Sequence, residues 1–151
     1  GIDVVCFDLI ESSVPYRIFV IYCPPASCIG RLSNVSPIIS MKQLTACLES
    51  NINTVGPTVV MGDFNCPDID WKSLCSSDQC QCLLLNFAVF NGFIQCVTQS
   101  TRANNILDLV FSNDPLNAMR QLRNICGINV ITPACLHFWF VMTGTLCLCT
   151  I

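Results

Sequence analysis

Apolar positions recur along this chain at two different periods, and the changes of period mark out its elements. Residues 4–10 and 17–22 are short runs rich in valine, isoleucine and aromatics, which predicts two strands. Ser12, Ser13, Val14 and Pro15 supply the turn between them. Pro24 and Pro25 end the second strand, since neither can donate to a ladder, and residues 26–37 follow as a polar loop. Over residues 41–52, Leu44, Cys47, Leu48 and Ile52 fall at helical spacing. After a connector at 53–57, residues 58–61 read as a buried strand and 66–78 as a loop. A second helix is predicted over 79–91, closed by Gly92, and further strands over 93–97 and 106–112. Alternating strands and helices predict an α/β architecture. The 151 residues suffice for one domain with its own core, and no repeat, low-complexity tract or linker divides them.

Composition narrows the function classes. Hydrophobic residues make up 52% and charged residues 11%, against about a quarter charged in ordinary soluble domains. Net charge is −3, whereas a chain that binds nucleic acid through its own field is basic. Contact with DNA would therefore need a bound cation or further sequence. The 13 cysteines are odd in number, and Cys6, Cys47 and Cys96 lie inside strand- or helix-like runs. Free thiols are the leading reading; a disulfide framework is second and zinc third, because Cys75, Cys80 and Cys82 match no standard finger. Residues 131–151 carry no charge over about the length of a bilayer span, but Thr132, Pro133, Thr143, Gly144 and Thr145 interrupt them. A buried strand with an atypical tail is favoured over a membrane span.

Candidate chemistry centres on Gly62-Asp63-Phe64-Asn65, where an apolar run stops at a glycine and then offers a carboxylate and a carboxamide. If the backbone stays extended, Asp63 and Asn65 project to the same side and Phe64 to the other. Such a pair presents a proton acceptor and a hydrogen-bond donor to a phosphate. Asp108 stands in the apolar run Ile106-Leu107-Asp108-Leu109-Val110-Phe111, where an ionised carboxylate needs a partner. The alternative is an outward-turned surface residue, against which Ile106 and Val110 on its face argue. Asp68 and Asp70 resemble a cation site, although carboxylates beside a proline more often make turns.

The tetrad at residues 62–65 is similar to the core motif of the endonuclease/exonuclease/phosphatase superfamily. Taken with Tyr22, Pro24 and Pro25, then Pro67, Asp70 and Trp71, then Leu85-Asn86-Phe87, Thr101-Arg102, Asn104-Asn105 and residues 106–114, the series resembles the apurinic-type endonuclease domain of LINE-like non-LTR retrotransposons. The resemblance runs from Asp3 to about Pro115. It implies two β-sheets flanked by helices and a Mg²⁺-dependent hydrolysis of DNA phosphodiesters. By position, Asp63 would orient and deprotonate the attacking water, Asn65 would bond a phosphate oxygen or that water, and Tyr22 would donate toward the scissile phosphate. Asp108 would hold a catalytic histidine in its tautomer, and Thr101 and Arg102 would contact the DNA backbone. Mg²⁺ would offset the charge that the phosphodiester gains as it reacts.

Two departures temper that resemblance. The family's first strands, with the asparagine and glutamate that hold Mg²⁺, would precede Gly1, so no metal ligand is expected in this chain. The family's terminal Ser-Asp-His is replaced by Cys135-Leu136-His137 or is deleted, leaving His137 as the only candidate histidine. Cys23 also stands where the family usually has arginine. These features predict a partial two-sheet sandwich over residues 1–133 and a degenerate apolar tail, or a final strand, over 134–151. The leading expectation is a retrotransposon-derived Mg-dependent endonuclease fragment with impaired activity, using no small-molecule cofactor and, by family analogy, acting on DNA in the nucleus. One alternative is a non-catalytic remnant that self-associates through apolar surface; another is a cysteine-rich secreted or membrane-anchored protein.

Overall fold

The computed structural model describes residues 2–10, 15–25, 35–52, 56–102, 104–126 and 148–150. β-Branched and aromatic runs become β1 (Asp3–Leu9), β2 (Tyr16–Tyr22) and β3 (Thr58–Asp63). Helix α1 (Pro37–Asn51) lies between β2 and β3 and supplies the crossover that their parallel pairing requires. It begins four residues before the predicted start, because Pro37 suits a first helical turn and Ser36 O accepts from Ile39 N and Ser40 N. Helix α2 (Gln79–Phe90) is capped by Asp78, whose side chain accepts from Gln81 N at 2.8 Å.

The predicted loop at 66–78 contains a two-stranded ribbon, β4 (Ile69–Asp70) and β5 (Cys75–Ser76). Asp70 builds its turn by accepting from Lys72 N at 2.8 Å and Ser73 Oγ at 2.6 Å. β6 is only Ile94–Gln95, and β7 is Asp108–Ser112, two residues shorter at its start than expected. Helix α3 (Pro115–Cys126) was not read from the sequence. Its start is nevertheless signalled, since Pro115 follows Asp114, whose side chain accepts from Asn117 Nδ2 at 2.9 Å. β8 is Leu148–Thr150.

Six strands form one sheet in the order β6-β7-β3-β2-β1-β8, with β2 and β3 parallel and the other pairs antiparallel. Strand alternation gives this mixed α/β sheet two apolar faces. Phe19, Ile21, Val60, Leu109 and Phe111 meet Leu44 and Leu48 of α1 and Leu84 and Phe87 of α2 on one of them. Full burial of side chains of this size stabilises by about 1.5–3 kcal/mol each. Ile18, Val20, Val59, Met61 and Val110 line the other, with Ala118 and Leu122 of α3 against them. Both central strands are therefore apolar on both sides until they reach the rim where the candidate residues stand.

No helix among the described residues is long and apolar enough to cross a membrane. Among the described residues, Cys23, Cys66, Cys75, Cys80, Cys82 and Cys96 carry free thiols.

Candidate functional site

The register of the sheet places the candidate residues. Asp3 of β1 pairs with Tyr22 of β2, Tyr22 with Asp63 of β3, and Asp63 with Asp108 of β7. Paired residues share a face, so this transverse row extends the face lined by Val5, Val20, Met61 and Val110. At its end the apolar pattern gives way to three carboxylates and a phenol. Tyr22 is exposed, and Asp63 and Asp108 are half-buried.

Asp63 and Asp108 meet unusually directly. Phe64 N donates to Leu107 O at 2.9 Å, which makes Asp63 and Asp108 a non-hydrogen-bonded pair in the antiparallel ladder. In such pairs the side chains approach more closely than in hydrogen-bonded ones. Burial pushes the Asp63 carboxyl above its ordinary value, and the neighbouring charge of Asp108 adds to that. The bond from Asn65 N and the guanidinium of Arg102 act the other way. Asp63 is thus a proton acceptor held more basic than a free aspartate, with a cation in range.

Gly62 makes this placement available. It adopts φ +148°, and a Cβ there would lie 1.8 Å from Ile21 O. Only a residue without a side chain lets β3 run this close to β2 as it delivers Asp63.

Asn65 does not follow the extended alternation. The strand ends at Asp63, and Asn65 takes φ 48° in the left-handed region, where asparagine is among the few tolerant residues. Its backbone N–H donates to Asp63 Oδ1 at 3.1 Å, and its Nδ2 donates to Cys23 O at 2.8 Å. Cys23 N in turn donates to Asp63 O at 2.8 Å. Asn65 therefore ties the ends of β2 and β3 together and orients the Asp63 carboxylate.

Asp108 opens β7 rather than lying inside an apolar strand, because residues 106 and 107 are not laddered. The burial cost of its carboxylate is correspondingly smaller. Across the ladder it faces Asp63, a second carboxylate, and Ile106 packs instead at the margin of the first core.

Thr101 and Arg102 lie in a tight loop closed by paired bonds between Arg102 and Asn105, with Arg102 exposed and Thr101 half-buried. The Thr101 hydroxyl is turned to backbone: its oxygen accepts from Leu107 N at 2.9 Å and Asp108 N at 3.1 Å. His137 lies outside the described residues. Asp3 was not among the sequence candidates; its place opposite Tyr22 depends on strand register, which no local motif signals.

The profile of the endonuclease-reverse transcriptase family matches residues 16–128, well over half of the chain. The chain belongs to that family. Its membership in the endonuclease/exonuclease/phosphatase superfamily of LINE-like elements follows, and the domain is of the endonuclease type. Compared with the curated proteins, the chain finds no match. The matched span of this endonuclease-type domain contains Tyr22, Asp63, Asn65, Thr101, Arg102 and Asp108, and ends before residue 137.

A hard cation such as Mg²⁺ takes oxygen ligands in an octahedral set. Among the described residues no three His, Cys, Asp or Glu side chains lie together as a metal-holding group. Of the loop carboxylates, Asp68 accepts from Gln81 Nε2 at 2.8 Å and Asp70 is committed to Lys72 and Ser73. The described residues therefore hold no three-ligand protein cage for a divalent cation.

Proposed function

We propose that this rim is the phosphodiester site of a retrotransposon-type DNA endonuclease, and that its activity in this chain is impaired. The observation that supports the reading is the alignment of Tyr22, Asp63 and Asp108 on neighbouring strands, with Arg102 in electrostatic range of Asp63. In this reading Asp63 accepts the proton of the attacking water. Its raised basicity suits that task, because general-base catalysis improves as the acceptor's pKa nears the working pH. Arg102 attracts the anionic backbone, and Tyr22 donates toward the phosphate from the adjacent strand end. Burial keeps Asp63 basic, and the charge of Asp108 opposite adds to that. Asn65 orients the Asp63 carboxylate through its backbone N–H.

Hydrolysis of such an anionic ester ordinarily draws on a divalent cation, and no step here is routed through one. We infer the impairment from the lack of a three-ligand metal group among the described residues, since metal and acid–base contributions each supply large rate factors. Supercoiled plasmid and a fluorescent duplex test the proposal together, with Mg²⁺ in the buffer. The expected result is duplex binding that weakens with salt and with Arg102→Ala, and nicking at or near background. Absence of salt-dependent duplex binding would sink the DNA reading. Fast nicking that Asp63→Asn abolishes would sink the impairment.

A second reading rests on exposed apolar surface. Leu74, Val89 and Ile94 line an open groove of about 820 Å³ and are roughly half exposed, beside Phe90 at 85%. Patches of this kind mark association sites. Elution on size-exclusion chromatography that moves to larger species with concentration, and returns to monomer with Phe90→Lys, would favour self-association over catalysis.

A further inference from the structure

We infer that Thr101 is a positioning residue of this site, whose hydroxyl fixes Asp108 opposite Asp63 and anchors the loop that carries Arg102. The inference rests on the proposed phosphodiester site for its functional meaning, but its structural content stands apart from that reading.

The argument starts from the edge of β7. In a strand, the N–H and C=O of successive residues point alternately to the two neighbours. On β7 the odd-numbered residues face β3, as the Phe64 N to Leu107 O bond shows at one end. The even-numbered residues face β6, and Val110 O accordingly accepts from Cys96 N at 2.7 Å. β6 pairs only Ile94 with Ser112 and Gln95 with Phe111, so its ladder stops short of Asp108. The Asp108 N–H therefore points toward an edge where no strand is left to receive it. A half-buried backbone donor without an acceptor costs about 1–3 kcal/mol.

Thr101 supplies the acceptor. Its Oγ1 takes Asp108 N at 3.1 Å and Leu107 N at 2.9 Å, which uses both lone pairs of the hydroxyl oxygen. The backbone of the same residue is held by its own loop, with Thr101 N donating to Asn105 O at 2.9 Å and Arg102 N to the same oxygen at 3.1 Å. One residue thus joins the carboxylate strand to the cationic loop. Leu107 O simultaneously receives Phe64 N, so the chain of bonds runs from Arg102's loop through Thr101 and Leu107 to the residue beside Asp63. Asp63 is faced by Asp108 and Arg102 as charges and by Asn65 as a hydrogen-bond donor. Both charges in that set depend on Thr101 for their position.

Thr101→Val keeps the shape and removes the acceptor, whereas Thr101→Ser keeps the acceptor. Both are compared with the unmodified chain, free of DNA, by NMR. In the valine variant the Leu107 and Asp108 amides should exchange with solvent about tenfold faster or more, while Val20 and Met61 amides stay as protected as before. Its Asp63 carboxyl titration should move to lower pH, because Asp108 is no longer held opposite. The serine variant should restore both readings. Unchanged Leu107 and Asp108 exchange, an unmoved Asp63 titration, or failure of serine to restore either one overturns the inference. Should the valine variant not fold, the other two proteins decide. Unprotected Leu107 and Asp108 amides in the unmodified chain overturn it, and protection shared with the serine variant upholds it. Loss of the nuclease reading would appear only in the plasmid and duplex assays, which this experiment does not use.

Discussion

Replacing Asp63 with asparagine should make the protein more stable and leave its site chemically inert. The substitution keeps an oxygen for the bond from Asn65 N, so the loop geometry is preserved while the charge goes. Two like charges about 5–6 Å apart in a medium of effective dielectric about 20 repel by about 3 kcal/mol, which is an upper limit here. Arg102 offsets part of this, and both carboxylates are only half-buried. Like charges directly opposite on antiparallel strands cost about 0.2–1 kcal/mol, so a net gain of about 1 kcal/mol is expected. For a domain of this size that raises Tm by roughly 2–4 °C.

The pH dependence carries the sign. Asp63's pKa is raised in the folded state, so the native protein binds this proton more tightly than the unfolded chain does. Stability is lost as pH rises from the ordinary carboxylate value through the raised one, and the deficit persists at neutral pH. The Asp63→Asn gain should therefore be present at pH 7 and vanish in acid, where the carboxyl is neutral in both states. Thermal melts by circular dichroism at pH 7 and at about pH 3 read it directly. A Tm that falls at pH 7, or a gain of the same size at both pH values, would refute the electrostatic account. Any residual nicking by the parent chain should disappear in the variant, with a loss of about 10²–10⁴-fold where a rate is measurable.

Other substitutions probe the frame. Gly62→Ala should destabilise by about 2–3 kcal/mol or more in urea unfolding, because the added methyl meets the Ile21 carbonyl in a backbone conformation that side chains rarely adopt; a change under about 1 kcal/mol would contradict the close β2–β3 approach. Phe111→Ala should cost about 3–5 kcal/mol in the same assay, since the fully buried ring packs edge-on against Phe64 at 5.5 Å and tilted against Trp71 at 5.1 Å. Native labelling with a thiol reagent at pH 8 should modify exposed Cys6 and Cys75 quickly. Cys66, which burial pushes up to about 12, and Cys23, raised well above the usual thiol value by burial, should react only on unfolding. Equal rates at all four positions would contradict the burial.

The strands and helices that pack on the sheet were legible because their apolar positions follow one period for long enough. β2, β3, α1 and α2 are of this kind, and the Gly62-Asp63 junction was visible as an abrupt end to an apolar run. Boundaries were less legible where a few backbone bonds decide them. β7 starts at Asp108 because Leu107 N turns to Thr101 Oγ1 instead of β3, and Asn65 leaves the extended path because its side chain reaches Cys23. Both are contacts between distant segments that no local period encodes. The β4–β5 ribbon and α3 were missed for a related reason. Two-residue strands carry no pattern, and α3 begins at a proline with only two residues between it and β7, and no long connector to set it apart. The opposition of Asp63 and Asp108 is a matter of register, which the chain fixes only when β3 and β7 meet.

Tyr22, Asp63 and Asp108 come from stretches roughly forty residues apart, so long loops must close before they can meet. Contacts of such high sequence separation are entropically late in folding and slow to form. No fragment that omits β2, β3 or β7 can retain the cluster, and a collapsed intermediate with native helices would still lack it. The spectroscopic signature of Asp63 is accordingly a marker of long-range assembly, reporting that β3 has met both β2 and β7.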